Sequence, residues 1–271
     1  MDIYNHKTID YGHKKKEFIY RFSMEYSYEN PKRDIHRTKY EDMNEQAKEA
    51  SNERRIKYYK KKIIDTTEIA LMNSDLTTAI TLTFKDKVTS YDIALGKWQN
   101  FLKRLRHHLD FPLKYICVWE YQKKRSQSEG IEDGGIYHFH CIMNIGYIDH
   151  KKLSEIWGNG YVWIDKLDTK YKRNKTIHYI MKYISKDILE HTESRGKRYI
   201  FTSNNLNKPI ITYDHITLEN LGNRDDTQVG TKEISELIFE HLDNIIKDGS
   251  YTIKNKEQII NYVQYIEYKT K

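Results

Sequence analysis

The sequence predicts an α+β fold: a central antiparallel sheet with helices packed on it. Three observations carry this. Short alternating or β-branched runs recur through the middle of the chain, and stretches with apolar residues at helical spacing separate them. Their order is strand, helix, strand, strand, helix, strand, helix, which a largely antiparallel sheet with helices laid across it accommodates.

The first strand is Thr77 to Phe84, Thr-Thr-Ala-Ile-Thr-Leu-Thr-Phe. Tyr91 to His108 carries Ile93, Leu95, Trp98, Phe101, Leu102 and Leu105 at helical spacing, with Lys103, Arg104, Arg106 and His107 on the wet side. Lys114 to Tyr121 is a second strand. Gln122 to Gly135 is polar and ends in Asp-Gly-Gly, so it reads as a long loop to an antiparallel neighbour, the strand Tyr137 to Asn144. Asp149 is placed to cap a short helix ending at Trp157, and Gly158-Asn159-Gly160 breaks that helix. Tyr161 to Lys166 is another strand, Asp168 to Lys175 a basic, polar connection, and Thr176 to Leu189 a helix. Gly196 to Phe201 offers one more strand, and Asn204 to Pro209 a turn.

This core, residues 65–210, is flanked by two extensions. Residues 1–64 are polar and basic: the first 50 read as irregular or loosely helical, and Arg54 to Lys62 form a dense basic run with tyrosines inside it. Such a run is either a solvated helix face or a patch that contacts phosphates. Residues 211–271 read as a helical C-terminal extension, with an amphipathic stretch from Lys232 to Ile246 and a last helix from Glu257 to Ile266.

Composition narrows the function classes. The 271 residues carry a formal charge of +7, which favours a polyanionic partner. The hydrophobic fraction of 38% is low, but 23 Tyr and 4 Trp help to fill a core. Cys117 and Cys141 both fall in predicted strands and read as small buried apolar residues rather than a redox pair. No secretory leader opens the chain, and no apolar run approaches the roughly 18 residues that span a bilayer, so a soluble, cytoplasmic setting is expected. A Gly-x-x-x-x-Gly-Lys phosphate loop is absent, which excludes an ATP-driven motor of that type.

The chemistry centres on Tyr137-His138-Phe139-His140-Cys141. Strand residues alternate faces, so His138 and His140 point to one side while Phe139 and Cys141 point to the other. Two imidazoles on one face suit a divalent metal, although with 12 histidines a chance His-x-His is expected roughly half the time. Glu120, near the end of the preceding strand, comes close to both rings if the two strands pair as antiparallel neighbours. By period-two counting it shares a face with Ile116 and Val118, an awkward setting for a polar site. Two imidazoles and one carboxylate, with the remaining positions open, fit Mn²⁺ or Mg²⁺ that must also bind a phosphate oxygen. Further on, Tyr179 and Tyr183 lie four apart on one helical face, and Lys182 and Lys186 each follow a tyrosine by three.

In this order, the Thr-Leu-Thr-Phe strand (81–84), Glu120, His138-Phe139-His140 and Tyr179-x-x-Lys182-Tyr183-x-x-Lys186 resemble the rolling-circle replication initiators of the His-hydrophobic-His (HUH) endonuclease superfamily. The tandem tyrosines look most like the gene A and gene II type replication proteins of small bacterial phages and related plasmids. The resemblance covers residues 77–190, and more loosely extends to 209. It implies a ferredoxin-like, RRM-like core and a metal held by Glu120, His138 and His140. It also implies attack by Tyr179 or Tyr183 on a scissile phosphate, giving a covalent 5′-phosphotyrosine and a free 3′-hydroxyl.

Lys182 and Lys186 would favour the phenolate or clamp the phosphate. The expected partner is single-stranded or hairpin origin DNA in a bacterial host cell, with a separate helicase for unwinding. Arg104, Arg106, Lys123, Lys124, Arg125, Lys172 and Arg173 are the candidate backbone contacts. A two-tyrosine transposase of the same chemistry, or a non-enzymatic DNA-binding protein with a structural metal, are the rival readings.

Overall fold

The computed structural model describes residues 2–26, 38–131, 134–190, 197–216, 245–255 and 258–270; from 182 to 190 it describes the backbone alone. The chain divides into two units, one of residues 38–207 and one of residues 1–37 with 208–271. Among the described residues no helix is long and apolar enough to cross a membrane.

The larger unit is α+β. Its helices are α1 (Glu45–Met72), α2 (Tyr91–His107), α3 (Lys123–Ser128), α4 (His150–Trp157) and α5 (Lys170–Glu190). Its strands are β3 (Thr78–Thr83), β4 (Tyr115–Tyr121), β5 (Tyr137–Met143), β6 (Val162–Lys166) and β7 (Ile200–Thr202), in the order β6-β3-β5-β4-β7 with every pair antiparallel. The chain therefore runs β3-α2-β4 with β5 slotted between those two strands, then β5-α4-β6 with β3 slotted between. Two interleaved β-α-β units of this kind make the ferredoxin-like topology. It puts β5, the imidazole strand, in the middle of the sheet.

Sequence pattern explains the layers. On β5, Tyr137, Phe139, Cys141 and Met143 face one side, and α2 and α4 cover it. Trp98 of α2 stacks on Phe139 at 5.3 Å between centroids, and Trp157 of α4 packs on Phe84 and Phe101. Cys117 and Cys141 are directly opposed and fully buried, Sγ to Sγ 3.1 Å, as small core residues. On the other face α5 lies against β4 and β5, with Ile177, Ile180 and Met181 buried, and α1 packs on α5. Asp149 caps α4 through Lys152 N at 3.0 Å, as its position predicted. Gly158 ends that helix at φ 63°, the left-handed conformation that glycine takes without strain.

The smaller unit is a five-stranded antiparallel sheet. It contains β1 (Asp2–Asp10), β2 (Lys14–Tyr26), β8 (Ile210–Asp214), β9 (Ile245–Asn255) and β10 (Gln258–Lys269), in the order β8-β1-β2-β10-β9. Two expectations are corrected by it. The segment read as irregular or loosely helical begins with the β1–β2 hairpin, and the last helix expected over Glu257 to Ile266 is the strand β10. In β10, Ile259, Val263 and Ile266 recur at a spacing that helix and strand share. The choice falls to long-range pairing of Val263 with Tyr20 and Tyr265 with Phe18. Most of the amphipathic stretch Lys232 to Ile246 lies outside the described residues, and from Ile245 the chain is already in β9. Two smaller differences occur in the core unit: the 122–135 loop contains α3, and the connection at 168–175 is the start of α5.

Candidate metal centre

The register of β4 and β5 assembles the site. Glu120 is the direct antiparallel partner of His138, and Val118 is the partner of His140, so Glu120 lies opposite one imidazole and diagonal to the other on a single face. Glu120 Oε1 lies 2.5 Å from His138 Nε2 and 3.2 Å from His140 Nε2, and the two Nε2 atoms are 3.0 Å apart. The three side chains are largely shielded from water. Ile116 and Val118, which share the face, are fully buried, so the strand is apolar where it lies under the core and polar only at its end.

Electrostatics follow from this crowding. Burial alone would raise the Glu120 carboxyl, but the hydrogen bonds and charges of His138 and His140 outweigh it and lower its pKa to about 2. Burial also pushes the His138 imidazole down, against the Glu120 hydrogen bond that raises it. The site thus favours an ionised carboxylate beside a neutral imidazole, the protonation states in which both bind metal. Nδ1 of His138 is buried with no hydrogen-bond partner. Three ligand atoms aimed at one point, two imidazole nitrogens and a carboxylate oxygen, form a donor set that fits a divalent cation with open positions.

One supporting residue went unassigned in the sequence reading. Thr81 of β3 is the direct partner of His140 on its other side, and its Oγ1 sits 3.0 Å from His140 Nδ1. With Nδ1–H donating to that hydroxyl, Nε2 carries the lone pair toward Glu120 and His138. The alternating threonines of Thr-Ile-Thr-Leu-Thr were the available signal, since a polar residue every second position marks a polar strip on one face.

The helix α5 carries the tyrosines. Arg173, Ile177, Ile180 and Met181 form its buried side, and Tyr179 stands on another side, 57% exposed. The side chains of Lys182, Tyr183 and Lys186 lie outside the described residues. Helix α5 nonetheless rests on the two strands that carry Glu120, His138 and His140.

The basic residues sort by what they touch. Arg173 was expected at the surface, but it is buried and its guanidinium donates to Ala70 O, Leu71 O and Asn73 O at 3.1–3.3 Å, closing the C-terminus of α1. That excludes it from contact with a DNA backbone. Arg104 donates to Ile156 O and Trp157 O at the end of α4. Arg125 donates to Phe84 O and to Lys85 O. Lys172 is held by Asp165 Oδ1 and Lys166 O, both at 2.7 Å. Lys124 and Arg106 are exposed, and Lys123 is half-buried.

Residues 77–188 match the family model of the replication-associated protein ORF2/gene II protein. That span contains Thr81, Glu120, His138, His140 and the tandem tyrosines, and it is less than half of the 271-residue chain. The match supports a replication-initiator relationship for the core unit. No curated protein and no solved structure matches the chain.

Proposed function

We propose that the core unit is a nickase and strand transferase that initiates rolling-circle replication. The observation that carries this reading is the convergence of Glu120, His138 and His140 on the sheet face covered by the tyrosine helix. Mn²⁺ or Mg²⁺ held by those three groups would act as a Lewis acid, drawing negative charge from the scissile phosphate. Glu120 and the two imidazoles fix where that phosphate sits. Thr81 keeps the His140 ring in the orientation and tautomer that present Nε2.

The nucleophile is the phenolate of Tyr179 or Tyr183. A phenol with a reference pKa of about 10 is mostly protonated at neutral pH, so Lys182 and Lys186, three residues after each tyrosine, serve to favour its ionised form. The phenolate oxygen forms a bond to phosphorus as the bond to the 3′ oxygen breaks. That oxygen leaves and takes up a proton, giving a free 3′-hydroxyl and a 5′-phosphotyrosine. The reverse attack by a 3′-hydroxyl rejoins the strand, and two tyrosines let cutting and carrying alternate. One phosphoester is exchanged for another, so no external energy is needed. An exposed phenol on a helix meets a phosphodiester that is itself exposed, so the substrate is single-stranded or hairpin origin DNA, and unwinding falls to a separate helicase.

The test is a denaturing gel with labelled single strands tiled across the surrounding replicon. Covalent protein–DNA adducts should appear with Mn²⁺ or Mg²⁺, vanish with chelator, and be lost in the Tyr179→Phe/Tyr183→Phe double variant. Metal binding without any adduct would point instead to a structural metal in a DNA-binding module.

A further inference from the structure

The basic run in α1 has no part in the proposed chemistry and lies outside the matched span. The structure splits it in two. Arg55 turns inward to Tyr199 Oη at 3.2 Å, Tyr59 donates to Lys197 O, and Lys62 lies over the Tyr58 ring. Arg54, Lys57, Lys60 and Lys61 remain on the exposed side, together with Tyr58 (57% exposed).

Among the described residues none of these four cations forms an ion pair, whereas Lys14, Lys16, Lys87, Lys114 and Lys172 each face a carboxylate. Like charges three or four residues apart on a helix cost about 0.2–0.5 kcal/mol per pair, and Arg54–Lys57, Lys57–Lys60 and Lys57–Lys61 are such pairs. A ridge of that kind is stabilised when a polyanion lies along it. From Arg54 to Lys61 it is about 10 Å long at 1.5 Å per residue, enough to follow several phosphates of one strand. The other end of α1 is fastened to α5 by Arg173, so the ridge belongs to the helix that packs on the tyrosine helix.

We infer that Arg54, Lys57, Lys60 and Lys61 form a phosphate-tracking ridge that holds single-stranded DNA entering or leaving the core unit, with Tyr58 available to stack on a base. The identity of the polyanion rests on the nickase reading; the ridge itself rests on the unpaired cations.

The test is fluorescence anisotropy of the full chain with a labelled 20-nucleotide oligo(dT), titrated at several salt concentrations. The comparison is with Arg54→Gln/Lys57→Gln/Lys60→Gln/Lys61→Gln. Each phosphate neutralised on a single strand contributes about 0.7 to the slope of log K against log salt, so the variant's slope should be shallower by about 2 to 3. A control, Lys103→Gln/Lys151→Gln/Lys152→Gln, removes exposed charge from α2 and α4 and should keep the parent's slope. Thermal melts confirm that each variant is folded; if the quadruple variant is not, Lys60→Gln/Lys61→Gln takes its place with an expected change of about 1.4. An unchanged slope, or equal losses in variant and control, overturns the ridge. Adduct formation is read separately: a shallower slope in a protein that never forms adducts keeps the ridge and rejects the nickase, and adducts with an unchanged slope do the reverse.

Discussion

Thr81→Val is the sharpest perturbation of the metal centre, because it changes one atom pair and little else. Valine keeps the β-branched shape that suits β3, and Thr81 is only half-buried, so the strand should tolerate the change. What disappears is the 3.0 Å contact between Thr81 Oγ1 and His140 Nδ1. Without it the ring loses its fixed orientation, and Nε2 no longer has a preferred lone pair. Partners of this sort are worth 10–100-fold in metal affinity, so Mn²⁺ binding should weaken by about 10–100-fold, or about 1.4–2.8 kcal/mol. Calorimetric titration with Mn²⁺ alone reads this without any DNA. Thr83→Val is the matched control: it is the partner of His138 on the same face, but its hydroxyl donates to Tyr161 O, and it should bind Mn²⁺ as the parent does. Parent-like affinity in Thr81→Val, or equal weakening in both variants, would refute the role given to Thr81.

Arg173→Met should destabilise the core unit by about 3 kcal/mol, since three carbonyls at the end of α1 lose a charged donor. At roughly 2–4 °C per kcal/mol for a protein of this size, the melting temperature should fall by about 6–12 °C, with single-strand affinity unchanged at temperatures where the variant is folded. Gly160→Ala should cost about 2–4 kcal/mol in denaturant titration, because at φ 152° an added Cβ would collide with Thr83 O and lie 2.5 Å from Lys85 N. In the smaller unit, burial would raise Glu17 and Glu267, but the hydrogen bonds of His6 and Tyr268 to the first, and Lys14 and Lys16 beside the second, hold both below the usual carboxylate value. A depressed folded pKa contributes stability above the unfolded value, about 4.3, and that stability is lost as pH falls through the folded value. Melts taken on acidification should therefore show that unit weakening below about pH 4.3, and Glu267→Gln should flatten the fall.

How much of this was legible depended on how local the deciding interaction is. The β3-to-α5 core announced itself because each element carries its own period and its connections are short. The pairing of Glu120 with the imidazoles followed from strand parity once β4 and β5 were neighbours. The apolar residues on that face proved to mark its covered part rather than to exclude a polar site. The smaller unit was hidden for the opposite reason: β2 pairs with β10 across more than two hundred residues, and a run such as Lys-Lys-Lys-Glu at the head of β2 masks its alternation. Charge was legible only in sum. Nothing in the sequence distinguishes Arg173, consumed by backbone carbonyls, from Lys57, which faces solvent.

Mapping the adduct tests the central claim most directly. The protein is incubated with single-stranded DNA and Mn²⁺, treated with nuclease, cut with trypsin and analysed by mass spectrometry. Cleavage after Lys175, Lys182 and Lys186 puts Tyr179 and Tyr183 on separate peptides, 176–182 and 183–186. A 5′-phosphonucleotide mass on one or both of these, absent when chelator is added, is the predicted result. Cut DNA with no modified peptide, or a nucleotide on any other residue, would contradict the account.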